Sequence, residues 1–144
     1  MGMIDIGKKD VTLREAIVEA RVYLKDSVIK LIKNKKIPKG DVLEAARLAG
    51  ILAAKKTSEL IPLCHPISIE FADIKFSLKN KEVEIKTTVR GRAKTGVEME
   101  AFTACAIAGL TVYDMCKAFD REAVISDIRL LKKSGGKSGD FIRR

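Results

Sequence analysis

Val83-Glu84-Ile85-Lys86-Thr87-Thr88-Val89-Arg90-Gly91-Arg92 alternates apolar or small residues with charged and polar ones. That is the period of a strand with one face in a core and the other in water. A second alternating run, Ile67 to Leu78, precedes it, and Lys79-Asn80-Lys81-Glu82 between them is a polar connection of hairpin length. The two runs read as an antiparallel pair. Upstream, Ala16, Val18, Ala20, Val22 and Leu24 share one face of a further strand, Ala16 to Lys25, whose other face carries Glu19, Arg21 and Lys25. Downstream, Val97 to Phe119 is apolar through its middle and reads as the longest helix, and Val124 to Lys132 reads as a last strand.

Between the first strand and the hairpin the spacing changes to that of helices. Asp26-Ser27 offers N-cap chemistry for a short helix that ends in Lys30, Lys33, Lys35 and Lys36 before Pro38 and Gly40. Asp41 caps a longer one, in which Val42, Ala45, Ala46, Ala49, Leu52 and Ala53 recur at helical spacing to about Leu60. The loop Pro62-Leu63-Cys64-His65-Pro66 follows. The order β-α-α-β-β-α-β predicts an α+β fold of the ferredoxin-like kind: a four-stranded antiparallel sheet with helices packed on one face. Residues 1–144 read as a single domain, with a flexible glycine-rich C-terminal tail from about residue 134.

Composition narrows the classes. With 144 residues, 47% hydrophobic and 33% charged, the chain suits one globular core. Three cysteines without a C-x-x-C pair argue against a disulfide framework or a zinc ribbon, and predict a cytoplasmic protein. The longest uncharged stretch, Ala101 to Tyr113, falls short of a membrane span, and no signal-peptide pattern opens the chain. Met1-Gly2 opens like a myristoylation signal, but Ile6 stands where Ser or Thr is required. Lys plus Arg total 28 against 19 acidic residues, a formal charge of +9 that predicts an anionic partner. Gln is absent and Asn occurs twice, as in proteins from hot-growing organisms.

Several groups of residues bear on chemistry. Lys133-Ser134-Gly135-Gly136-Lys137-Ser138-Gly139 has the Gly-Lys-Ser of a P-loop, but Leu131 occupies the leading glycine position and no helix can follow. A flexible glycine loop carrying Lys137 remains, open to an anion or simply to solvent. Asp114 and Lys117 share a helix face, as a surface ion pair or a proton-transfer couple. Glu100, Thr103, Ile107, Leu110, Asp114 and Lys117 form one heptad-spaced stripe that predicts a seam against another element. Glu100 and Asp114 stand about 21 Å apart along one helix, so a single small ligand touching both requires two subunits. His65, the only histidine, sits beside Cys64 between two prolines, a loop setting that favours a binding role over packing. Cys105 and Cys116 are about 16 Å apart along a helix, which leaves no metal site. Glu98 and Glu100 complement a helix N-terminus, and a carboxylate there also matches the N–H edge of a guanine-like ring. Lys39, Lys55, Lys56 and Lys94 read equally as solvated surface lysines.

Six blocks taken together carry a resemblance: Lys39-Gly40-Asp41-Val42; Ala46-Arg47 with Ala49-Gly50-Ile51; Glu59-Leu60-Ile61-Pro62-Leu63-Cys64-His65-Pro66; Lys94-Thr95-Gly96-Val97-Glu98-Met99-Glu100-Ala101; Tyr113-Asp114-Met115-Cys116-Lys117-Ala118; and Arg129-Leu130-Leu131 with Lys133-Ser134-Gly135-Gly136-Lys137-Ser138-Gly139-Asp140. In this order and over nearly the whole chain, the sequence resembles the MoaC family of molybdenum cofactor biosynthesis, the cyclic pyranopterin monophosphate synthases.

The resemblance implies a lyase that converts 3′,8-cyclo-7,8-dihydroguanosine 5′-triphosphate to cyclic pyranopterin monophosphate with release of pyrophosphate. It implies that Leu63, Cys64, His65, Met99 and Glu100 hold the substrate, that Asp114 is the catalytic acid, and that Lys39, Lys117, Lys137 and Arg14 line the same pocket. Lys117 and Lys137 join Asp114 as expected catalytic groups, and Glu98 joins the substrate-binding set. It implies a homohexamer, a trimer of dimers, with sites between subunits. No resident cofactor follows firmly from it, and a divalent cation such as Mg with the triphosphate stays open. Neither nucleic acid nor membrane is an expected partner: an RNA-binding sheet displays paired aromatics, whereas these strands offer Tyr23, Phe71 and Phe76 without the RNP signature. A noncatalytic oligomer that binds nucleotides differs from the synthase only in turnover.

Overall fold

β1 (Thr12–Tyr23) runs through the middle of the molecule and is buried on one face along most of its length: Ala16, Val18, Ala20 and Val22 are fully enclosed. The chain continues through α1 (Asp26–Lys33), α2 (Val42–Lys55), α3 (Thr57–Leu60), β2 (Phe71–Leu78), β3 (Glu82–Ala93), α4 (Glu98–Cys116), β4 (Val124–Ser134) and β5 (Phe141–Ile142). This computed structural model describes residues 1–144. The strands form one antiparallel sheet in the order β2-β3-β1-β4-β5, with Ala20 opposite Ile85 and Val18 opposite Leu130.

The class expected from the sequence holds, with one strand more. The glycine-rich segment turns back on β4, and Phe141 and Ile142 pair with Lys133 and Lys132 to add a fifth strand. Two residues carry too little alternation to register as a strand in sequence. β1 starts at Thr12 rather than Ala16, because Arg14 points to the buried face among apolar neighbours and breaks the pattern there. The expected helix to Leu60 is interrupted at Lys56. The Thr57 hydroxyl donates to the Ala53 and Ala54 carbonyls at 3.2 and 3.0 Å, and a separate turn follows. Asp26 and Ser27 do not cap α1: Lys25 is its N-cap, its backbone N–H held by Asp120 Oδ2 at 2.9 Å, while Asp26 sits in the first turn. Asp41 caps α2 as expected, accepting from the Glu44 N–H at 3.2 Å.

Small residues let the helices approach the sheet and each other. α4 buries Ala101, Ala104, Cys105, Ala108 and Gly109, and Thr87 of β3 donates to the Ala101 carbonyl at 3.0 Å, tying the first turn of α4 to the sheet. Where α2 crosses α4, Gly50 fits so closely that a Cβ would lie 2.9 Å from the Ala104 carbonyl oxygen and would collide with Ile74 Cδ1. Gly50→Ala is therefore expected to destabilise the protein by about 1–3 kcal/mol through overpacking, despite the better helix propensity of alanine. Urea unfolding of the variant checks this, and an unchanged midpoint would mean the helices part at little cost.

Candidate functional site

The loop after α3 carries Leu63, Cys64 and His65 to the first turn of α4. There they line a cavity of ≈ 440 Å³ together with Glu98 and Met99 of the helix and Ile4 and Ile6 of the N-terminal arm. That volume suits a bicyclic heterocycle with a sugar. His65 donates from Nε2 to the Ile4 carbonyl at 2.7 Å, which fixes the tautomer. Cys64 Sγ stands 4.0 Å from Glu100 Oε2. Glu100 itself is 2% exposed and its Oε1 has no hydrogen-bond partner. Burial pushes its carboxyl above the ordinary glutamate range, because no cation offsets the lost hydration. The Cys64 thiol is also pushed up, by burial and then by the Glu100 charge, so it is not a ready nucleophile.

Beside this cavity lies a cationic corner. Arg14 enters it from the start of β1, only 6% exposed. Its guanidinium makes one hydrogen bond, from Nη2 to the Lys94 carbonyl at 3.3 Å, and its buried Nε has no partner. Gly135 and Gly136, at φ +94° and +83°, close over it, and a Cβ on either would strike the Leu13 carbonyl or the guanidinium. Lys133 approaches Glu98 Oε1 at 3.4 Å and donates to Ser138 Oγ at 3.1 Å. Lys137 lines a ≈ 200 Å³ cavity with Arg14 and Lys9. A buried guanidinium without a carboxylate partner is costly unless an anion completes it.

The remaining expected residues stand elsewhere. Lys39, Asp114 and Lys117 cluster at the C-terminal end of α4, with Asp114 accepting from Lys117 Nζ at 2.9 Å and from Lys39 Nζ at 3.0 Å. Hydrogen bonds from Lys117 and then Lys39 hold its carboxyl below the usual aspartate range. The group is about half exposed. Glu100 at one end of the helix and Asp114 at the other are separated by about 21 Å of helix axis. Within one chain only the first half of the heptad stripe is packed: Glu100 and Thr103 are buried, Ile107 is half-buried, and Leu110, Asp114 and Lys117 are exposed. A straight helix drifts by about 20° per heptad, enough to carry the row from the core to the surface.

Sequence reasoning did not single out Lys133 or Lys9, and treated Lys94 as a surface residue. In fact Lys94 donates to the Gly7 carbonyl at 3.1 Å and holds the N-terminal arm in place. The adjacent Lys132-Lys133 pair gave no hint which ammonium faces the site. Register decides it, since Lys133 pairs with Ala16 on the helix-covered face and Lys132 with Ile17 on the open one. No group of three or more His, Cys, Asp or Glu side chains stands together as a metal site, and no helix is long and apolar enough to cross a membrane.

Comparison with known proteins bears on this geometry directly. The model of the MoaC family matches residues 3–136. This chain belongs to the MoaC family. Among curated relatives, the cyclic pyranopterin monophosphate synthase of Thermoanaerobacter sp. (strain X514) is 53% identical over 143 residues, covering 98% of this chain and 90% of the relative. Those of Heliobacterium modesticaldum and Peptoclostridium acidaminophilum are 52% and 51% identical, again covering 98% of this chain and 90% of each relative. In this MoaC chain the family match spans the Leu63–His65 loop, Arg14, and the whole of α4 with Lys39, Asp114 and Lys117, and ends just before Lys137.

The buried Glu100 makes a pH-dependent contribution. A carboxyl raised in the fold above its ordinary 4.5 stabilises fully below that value and loses its contribution as pH rises through the folded value. Glu100→Gln removes that loss. Urea unfolding between about pH 4 and 8 is expected to show the variant gaining on the parent as pH rises, and parallel curves would contradict an unpaired buried carboxyl.

Proposed function

We propose that this MoaC chain is a cyclic pyranopterin monophosphate synthase of molybdenum cofactor biosynthesis, a lyase acting on 3′,8-cyclo-7,8-dihydroguanosine 5′-triphosphate. The observation that carries the reading is 51–53% identity over nearly the whole chain to relatives of that name. A heterocycle-sized cavity next to an anion-binding corner supports it, because the substrate is a fused ring system on a triphosphate. Leu63, Cys64, His65, Glu98, Met99 and Glu100 surround the ring, with the carboxyls meeting its N–H edge. Arg14 and Lys137 take phosphate oxygens.

Ring rebuilding moves protons on and off nitrogen and sugar oxygen. Lys117, as an ammonium, donates a proton; Asp114, held ionised between two cations, orients it and accepts a proton in return. Closure of the cyclic phosphate forms a bond from a sugar hydroxyl oxygen to the α-phosphorus and breaks the bond to the β-phosphate bridging oxygen. The hydroxyl proton passes to a base, and pyrophosphate leaves against Lys39, Lys137 and Arg14. A divalent cation such as Mg would arrive with the triphosphate as part of the substrate.

Within one chain the ring cavity and Asp114 lie too far apart for one molecule to touch both, so we infer that two copies complete each site, in the homohexamer that the family resemblance implies. The half-exposed Asp114 cluster and the exposed Leu48, Leu52 and Leu110 of α2 and α4 support a covering copy. The three free cysteines suit a reducing cytoplasm.

Incubation with the cyclised nucleotide, following pyrophosphate and a fluorescent oxidised pterin, tests the assignment. Lys117→Ala and Asp114→Ala are each expected to lose about a hundredfold or more in rate with the assembly intact. Mixed assemblies of Asp114→Ala with His65→Ala should regain turnover that neither shows alone, because one kind of site then receives both intact halves. Binding without turnover by the folded parent would make it a nucleotide-binding protein, and a monomer in sedimentation would remove the shared site.

A further inference from the structure

The N-terminal arm lies over the site, yet no strand or helix holds residues 1–9. Its ties to the body are two side-chain hydrogen bonds, from His65 Nε2 to the Ile4 carbonyl at 2.7 Å and from Lys94 Nζ to the Gly7 carbonyl at 3.1 Å. Between these latches and β1 the chain closes a turn, with the Lys9 N–H on the Ile6 carbonyl at 3.1 Å. That turn brings Lys9 inward: it is half-buried, whereas Lys8 beside it is exposed.

Three cavities meet at this end of the molecule, and Lys9 lines all of them. It borders the ring-sized cavity of His65 and Met99, the small cavity of Arg14, Glu98 and Lys133, and the cavity of Arg14 and Lys137. No other residue borders all three. The ion-paired lysines are Lys35, Lys39, Lys79, Lys117, Lys132 and Lys133, so Lys9 has no carboxylate partner. A lysine without a carboxylate partner that lines three neighbouring hollows, next to a buried guanidinium that also lacks a carboxylate, is placed for a ligand with anionic groups on one side and a ring on the other.

We propose that Lys9 is a substrate-binding cation that bridges the ring cavity and the anion corner, set in place by the His65 and Lys94 latches. This rests on the reading of the site as one for a nucleoside triphosphate derivative. Lys9 contacts the phosphate nearest the sugar, while Arg14 and Lys137 take those beyond it. The arm thereby forms a wall of the pocket, with Ile4 and Ile6 against the ring.

The test uses the full-length protein and two readouts: binding of inorganic pyrophosphate by calorimetry, and KM and kcat with the cyclised nucleotide. Lys9→Ala should weaken pyrophosphate binding and raise KM by about tenfold each, the loss of one charge-assisted contact, with kcat changed less. Lys9→Arg should restore most of both. Lys8→Ala should match the parent, and all variants should share its assembly mass and melting temperature. Pyrophosphate binding by Lys9→Ala within about twofold of the parent, or an equal loss in Lys8→Ala, would overturn the proposal. If the parent binds pyrophosphate but does not turn over, the synthase reading fails while the calorimetry still judges Lys9. A parent that does neither defeats both.

Discussion

The approach of α4 to β1 organises the molecule. Alanines and a glycine on the helix meet Ala16, Val18, Ala20 and Val22 on the strand, and the short side chains bring the two backbones close. Gly109 shows how closely the helix also lies on β4, since a Cβ there would sit 3.1 Å from Ile125 Cγ2. Closeness allows Thr87 to reach the Ala101 carbonyl across the layer boundary, and it sets the first turn of α4 beside the opening of β1. Everything that resembles a binding site at that end follows: Glu98, Met99 and Glu100 from the helix, Arg14 from the strand, and the glycine segment that folds over Arg14.

The same helix also separates. At 19 residues it places the Lys39–Asp114–Lys117 cluster at its far end, about 21 Å of helix axis from Glu100. The two ends differ in electrostatic character as well. Glu100 is buried without a cation and held toward its neutral form, whereas Asp114 lies between two ammonium groups and is held ionised. Two carboxyls on one helix thus receive opposite chemistry from their surroundings. A rigid helix cannot bend to unite them.

The open face of the sheet is stabilised differently from the helix-covered one. Arg21 pairs with Glu82 at 2.9 Å, Lys79 with Glu84 at 2.8 Å, Arg90 with Glu15 at 3.1 Å and Arg129 with Glu19 at 2.6 Å, a ladder of alternating charge across the strands. Such pairs contribute little singly and more as a network, particularly at high temperature. On the same face the Arg90 guanidinium lies over the Phe71 ring, 3.9 Å from its centroid. Arg14, Lys9 and Lys137, which line one cavity, have no carboxylate partner of this kind.

Alternation in Val83 to Arg92 and in Ala16 to Lys25, helical spacing after Asp41, and the long apolar run after Val97 were enough to determine the order of elements and the α+β class, because each pattern matches a backbone period. The sequence likewise marked His65 between its prolines, the glycine loop, and the spacing that keeps Glu100 from Asp114. Tertiary structure alone decided which lysines face the site. Lys132 and Lys133 are neighbours in sequence and point to opposite sides of the sheet, and the β4 register with β1 selects Lys133. It alone decided that Arg14 is buried without a carboxylate, that Phe141–Ile142 form a fifth strand, and that the arm bearing Lys9 lies over His65. These are contacts between segments distant in the chain, made by groups whose local sequence is the same whether they face a ligand or water.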